Sequence, residues 1–111
     1  MIGAAYKKDV DDTRESPALE VMQILKRRQC AIDYHDPWVA RIPTTRHHPE
    51  LGGMESVAID SASIASYDAV LIVTDHTAIN WQQLVDAAKL VVDTRNATAK
   101  AVRPEGKVFS V

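Results

Sequence analysis

Apolar and polar residues fall in blocks along this chain, and the block lengths separate strands from helices. Met1 to Ala5 is a short apolar run that predicts a buried strand. Tyr6 to Glu15 is polar and charged. Ser16-Pro17 then marks a helix start: a side-chain oxygen able to cap the first turn, and a proline whose missing N–H costs nothing there. Beyond it Ala18, Val21, Met22 and Leu25 recur at i, i+3, i+4 and i+7, with Ile24 beside them, which predicts a helix over about Pro17–Arg28. Glu15 and Glu20 near its start and Lys26, Arg27 and Arg28 near its end suit the helix dipole. Cys30 to Tyr34 predicts a second strand, stopped at His35-Asp36-Pro37 because a residue before proline is driven out of helical geometry. Strand, helix and strand form a βαβ unit with a right-handed crossover.

Trp38 to Gly53 holds Pro43, Pro49, Gly52 and Gly53 and shows no period, so it reads as a long surface loop. Ser56 to Asp60 reads as a minor strand, and Ser61 to Ser66 as a short helix capped by Asp60 or Ser61. Asp68 to Thr74 is continuously apolar and β-branched, as a strand covered on both faces should be, and ends in polar Asp75-His76-Thr77. A helix follows over about Ile79–Ala88, with Trp81, Leu84, Val85 and Ala88 on one side. Leu90 to Val92 predicts another strand, ended by Asp93-Thr94-Arg95-Asn96. Ala97 to Gly106 reads as loop, and Val108 to Val111 as a last strand. This alternation predicts an α/β fold, a Rossmann-like three-layer sandwich with a mostly parallel sheet and helices on both faces.

The chain has 111 residues, which is one domain, and 46% are hydrophobic, enough for a core at that size. Thirteen basic residues against 15 acidic ones give a net charge of -2, so no basic field favours nucleic acid. No apolar run approaches the roughly 20 residues that span a bilayer. No signal-peptide pattern precedes the first strand, and cytoplasm is the expected compartment. Cys30 is the only cysteine, which excludes an internal disulfide and a thiolate metal cluster. Its position before an apolar run predicts a buried, inert thiol. A strand at the first residues fits either a piece of a longer protein or a small α/β protein that begins with a strand.

Four polar loops leave the C-terminal ends of the main strands: Tyr6–Glu15, His35–Pro37, Thr74–Thr77 and Asp93–Asn96. In an open α/β sheet they share the edge where ligands bind. They bring Lys7, Lys8, Arg14 and Arg95 to that edge, a set suited to phosphate because arginine offers a planar fork and lysine a compact charge. The same loops carry Asp9, Asp11, Asp12, Asp36, Asp75 and Asp93, so the charges could equally pair among themselves and with caps. His47-His48 with Glu50 reads as a solvated loop rather than a metal site, since adjacent histidines do not share a face. Trp81, at helical spacing, reads as core rather than as a stacking platform. No G-x-G-x-x-G or P-loop pattern occurs.

The run Gly3-Ala4-Ala5-Tyr6-Lys7-Lys8-Asp9-Val10-Asp11-Asp12-Thr13-Arg14-Glu15-Ser16-Pro17 closely resembles a signature of the nucleotide-sugar dehydrogenases, in their C-terminal, nucleotide-sugar-binding domain. Three further segments agree in order: Tyr34-His35-Asp36-Pro37, Ala69 to His76, and Val91 to Asn96. The resemblance covers essentially the whole chain. It implies an enzyme that oxidises a sugar C6 alcohol to a carboxylate in two NAD-dependent steps through a covalent cysteine intermediate. It implies that Tyr6 and Lys7 contact the sugar nucleotide, that Arg95 binds it too, and that Arg14 reaches toward bound NAD. The family's NAD fingerprint and its catalytic cysteine are missing from this sequence, and Cys30 lies in the wrong context to replace that cysteine. The expectation is therefore a domain over residues 1–111 with no catalytic residue of its own, inactive alone. Its expected partners are a UDP-sugar and the rest of a parent enzyme that is a homo-oligomer at full length. Lys7-Lys8-Asp9, Thr74 to Thr77 and Arg46 to Leu51 look most like the UDP-N-acetylglucosamine 6-dehydrogenase branch, with UDP-glucose second.

Two rival readings come from other classes. A receiver-type signalling domain could use Asp11-Asp12 and Asp75, but needs a lysine after its last strand, and none follows Val111. A stand-alone nucleotide-binding module would share the loops without a catalytic partner.

Overall fold

A computed structural model describes all of residues 1–111. The extended backbone at Ile2 is the middle of the sheet. Ile2 bridges in parallel to His35 on one side and to Ile72 on the other. Ile72 ends β1 (Val70–Ile72), which pairs in parallel with β2 (Val91–Asp93), which pairs in parallel with β3 (Val108–Ser110). The spatial order of chain segments is thus second, first, third, fourth, fifth, all parallel. That is a doubly wound order, whose direction reverses between the first and third segments. The expected α/β fold is present, and the Tyr6–Asp9 turn leaves the sheet at the reversal point.

Three helices accompany the sheet: α1 (Pro17–Arg27), α2 (Ser61–Ala65) and α3 (Trp81–Ala87). Successive residues of a strand face opposite ways. Ile2, Val70, Ile72 and Val91 face the side of α2 and α3, where Ile64, Ile79, Leu84 and Ala88 complete one core. The other core contains Leu19 and Met22 of α1, Tyr34, and Ala4 and Ala5 beyond the strand end. Ser16 caps α1, accepting from the Ala18 N–H at 3.2 Å, and its hydroxyl also donates to Ala5 O at 3.2 Å, which ties the helix start to the first strand's end. Asp60 and Ser63 cap α2 reciprocally.

Several expected elements differ. The buried stripe of α1 is Ala18, Leu19, Met22 and Gln23, rotated from the Val21–Leu25 side, and Ile24 is 48% exposed. Gln23 is drawn inward because its amide bonds Glu50 and His48 of the facing loop. The Trp38–Gly53 stretch is not merely a surface loop: it sends Val39, Ile42 and Leu51 into the α1 core. Cys30 to Tyr34 forms no strand, pairing only through His35, and Ser56 to Asp60 forms none.

Cys30 is exposed, not buried. The cause is the way α1 ends. Gln29 takes a left-handed φ of 66°, its N–H reaches Lys26 O at 2.9 Å, and the Cys30 N–H reaches Leu25 O at 3.1 Å. This Schellman turn swings the chain outward before it can enter the sheet. Glycine favours that position, so Gln29→Gly should stabilise the protein by a net of about 0.5–1 kcal/mol, after glycine's larger unfolded-state entropy is subtracted. Thermal melting should read this as a rise of about 2–5 °C. An unchanged or lower melting temperature would refute the strain.

Candidate functional site

The four polar loops meet at one edge, and buried carboxylates join them. Asp36, only 2% exposed, follows the His35 bridge. Its Oδ2 accepts from the Ala4 N–H at 2.8 Å, the Ala5 N–H at 3.1 Å and His76 Nε2 at 2.8 Å. Its Oδ1 accepts from the Trp38 and Val39 N–H groups at 2.7 and 3.1 Å. Burial pushes this carboxyl up, but the bonds from Ala4, His76 and Trp38 outweigh it and hold it below the usual carboxylate range. His76, fully buried, uses its second ring nitrogen as well: Nδ1 accepts the Asp9 N–H at 2.8 Å. The Asp9 carboxylate then accepts from the Thr77 N–H at 2.9 Å and the Thr77 hydroxyl at 2.5 Å, bonds that lower its pKa. Asp93, 1% exposed, accepts from the N–H groups of Arg95, Ala97 and Thr98 and from the Thr98 hydroxyl.

The acids of these loops therefore serve largely as scaffold, while several bases remain available. Lys7 and Lys8 are exposed and form no ion pair. The Arg95 Nε lies 3.6 Å from Asp75 Oδ1, an oxygen with no hydrogen-bond partner. The terminal nitrogens of Arg95 bond nothing within the chain. Arg14 is the exception, its guanidinium forked onto Asp12 at 2.9–3.3 Å, which lowers the Asp12 pKa to about 2. Its side chain is nevertheless 87% exposed.

Two open grooves flank the Tyr6–Asp9 turn. One, of about 760 Å³, runs between the Asp12–Glu20 segment and the Pro43–His48 stretch and contains Tyr6, Arg14 and Glu15. The other, of about 540 Å³, contains Lys8, Asp75, Trp81, Asn96 and Lys100. Tyr6 and Arg14 thus share a groove, Arg95 sits against Asp75 of the second, and Lys7 lines neither. Trp81 packs partly on the core, as its spacing predicts, and also walls the second groove. In the first groove His47 is exposed, while His48 bonds Gln23 and lies 3.5 Å from Glu20. No three His, Cys, Asp or Glu side chains gather to hold a metal ion. No helix is long and apolar enough to cross a membrane.

The Asp36–His76–Asp9 chain was not legible as a unit in the sequence. The available signal was polar residues directly after apolar runs, at Asp36 before Pro37 and at His76 after Thr74. Nothing in their spacing pairs residues 40 apart.

A profile of the UDP-glucose/GDP-mannose dehydrogenase family, UDP binding domain, matches residues 1–100. UDP-N-acetyl-D-mannosamine dehydrogenase of Pyrococcus horikoshii is 31% identical over 114 residues, across 98% of this chain and 23% of that enzyme. UDP-glucose 6-dehydrogenase of Rickettsia felis is 31% identical over 102 residues, across 86% of this chain and 22% of that enzyme. The solved UDP-N-acetyl-mannosamine dehydrogenases of P. horikoshii and S. aureus superpose with TM-scores of 0.69 and 0.68 at 26% and 27% identity. Those superpositions cover 99% and 98% of this chain and 24% of each enzyme. The chain thus spans about a quarter of the length of the relatives it matches.

Proposed function

Because the chain belongs to the UDP-glucose/GDP-mannose dehydrogenase family, as its UDP-binding domain, we propose that it forms the nucleotide-sugar wall of an NAD-dependent UDP-sugar 6-dehydrogenase. Relatives named for UDP-glucose and UDP-N-acetyl-D-mannosamine support a UDP-sugar as the ligand class. UDP-N-acetylglucosamine and UDP-glucose remain the proposed sugars. The observation that carries the reading is the position of the Tyr6–Asp9 turn at the reversal point of the sheet, with unpaired Lys7 at its tip.

Each residue has a role its chemistry suits. Lys7 offers a compact charge to the diphosphate, and Arg95 offers a planar fork beside it. Tyr6, 52% exposed, presents a ring to the sugar nucleotide. Arg14 is proposed to reach the cofactor, which supplies hydride acceptance when bound. The chain fits NAD only as one contact: Arg14 is exposed but already forked onto Asp12, its groove also carries Glu15 and Glu20, and no glycine-rich cradle accompanies it. The dinucleotide's main site and the reacting cysteine are proposed to lie on other domains of the parent enzyme, an oligomer at full length.

Lys7→Ala in that enzyme should raise KM for the nucleotide-sugar by about 10- to 100-fold, the scale of a lost charge-assisted bond. KM for NAD should stay within about twofold. A panel of UDP-N-acetylglucosamine, UDP-N-acetylmannosamine and UDP-glucose would name the sugar in the same assay. An effect falling on NAD instead would reassign Lys7 to the cofactor side.

A further inference from the structure

We propose that His76 is a positioning residue: a neutral imidazole that presents Lys7 and Lys8 to the UDP diphosphate by holding the Asp9 N–H. The inference rests on the UDP-binding reading above and assigns a role to a residue that touches no ligand in it.

Both ring nitrogens of His76 are committed, and their partners dictate which one carries the proton. A backbone N–H can only donate, so Nδ1, facing the Asp9 N–H at 2.8 Å, must be the acceptor. Asp36 Oδ2 accepts from two backbone N–H groups, so Nε2, 2.8 Å from that oxygen, is the donor. The ring is therefore the neutral Nε2–H tautomer, oriented by a carboxylate on one side so that its lone pair points at the turn on the other. The Asp36 oxygen that orients it also accepts the N–H groups of Ala4 and Ala5, the two residues before Tyr6. One buried group thus fixes where the turn begins, and through His76 where it ends.

The turn needs such a hold. Asp9 has a φ of 61°, a left-handed conformation that aspartate tolerates better than most residues but that still needs bonds to hold it. Lys7 and Lys8 lie between the two anchored ends and are themselves exposed and unbonded. Their positions come from the anchors, and affinity for a dianionic ligand depends on having both charges in place beforehand. Thr77 supplies a second hold on the Asp9 side chain, so loss of the imidazole bond should loosen the turn without unfolding it.

Two substitutions separate positioning from structure. The Asn side-chain oxygen sits as many bonds from Cβ as His Nδ1, so His76→Asn keeps the Asp9 bond and loses the Asp36 donor. The Gln side-chain nitrogen sits as many bonds out as Nε2, so His76→Gln keeps the Asp36 donor and loses the Asp9 bond. UDP affinity by NMR titration should fall about three- to tenfold in H76Q, the scale of one hydrogen bond, and stay within about twofold in H76N. Melting temperature should run the other way, lower in H76N than in H76Q, because Asp36 is the buried charge. In the ligand-free protein the Asp9 amide should exchange faster in H76Q than in wild type. Affinity that follows melting temperature across the pair would overturn the proposal, as would H76Q binding UDP like wild type with Asp9 equally protected. If H76N unfolds, H76Q decides alone by the same two readouts. If wild type itself fails to bind UDP, the UDP-binding reading falls, and Asp9 exchange still reports whether His76 holds the turn.

Discussion

Asp36→Asn should destabilise this protein by about 3–5 kcal/mol, the cost of leaving at least two buried N–H donors without an acceptor. Both Asp36 oxygens accept, two donors on Oδ1 and three on Oδ2. Whichever way the amide turns, its NH2 group faces at least two N–H donors. No rotamer repairs this, since the side chain is buried and four of its five partners are backbone N–H groups. Against a total stability of about 5–15 kcal/mol, the loss should lower the melting temperature by more than about 10 °C. The pH profile supplies an independent check. A carboxyl held below its unfolded value adds stability that is present above about pH 3.9 and is lost as pH falls through the folded value. Wild type should therefore lose stability below about pH 4. The Asn variant should show a shallower acid limb, since only Asp93, Asp9, Asp12 and Glu50 then contribute to it. A variant with wild-type melting and an unchanged acid limb would mean that Asp36 is not the joint between these loops.

Gly3→Ala should cost about 3 kcal/mol or more, through a different mechanism. A Cβ there would lie 2.3 Å from Thr74 Cβ and 2.6 Å from the Thr74 backbone nitrogen, at a φ of +97° that favours glycine. Backbone contact leaves no side chain to swing aside. Thr74 cannot retreat either: its N–H bonds Ile2 O at 3.2 Å and its hydroxyl donates to Ala5 O at 2.9 Å. The close approach of these two strand ends sets the crevice from which the Tyr6–Asp9 turn leaves. Gly3→Ala should lower both the melting temperature and UDP affinity, and adding Thr74→Ala should not rescue either. Full rescue by the double variant would show that only the threonine side chain is crowded.

The helices were legible because periodicity and caps are local. Ser16-Pro17 and Asp60 stand where the structure begins α1 and α2. β1 lies within the apolar Asp68–Thr74 run for the same reason, and the four polar loops converge through Asp36, His76 and the approach of Arg95 to Asp75. What the sequence hid is non-local. Cys30 to Tyr34 has strand composition, but the Schellman turn at Gln29 and the bonds of Tyr34 to the Val39–Met54 segment leave it only one bridge. Cys30 was misplaced by the same turn. The loop from Trp38 carries core residues without a period, because nothing local tells Ile42 and Leu51 which helix they will meet. At the site, the exposed bases were legible as ligand candidates. The roles of Asp9, Asp36 and Asp93 were not, since a carboxylate that caps a loop and one that binds a ligand look alike until their donors are known.

The edge carrying the Tyr6–Asp9 turn and Arg95 is proposed to bind the UDP portion of a nucleotide-sugar. The most direct test of this is an NMR titration of the protein with UDP, following backbone amides. Shifts are expected at Tyr6, Lys7 and Arg95, saturating together. Shifts confined to residues 38–53, or none with UDP in large excess, would contradict it.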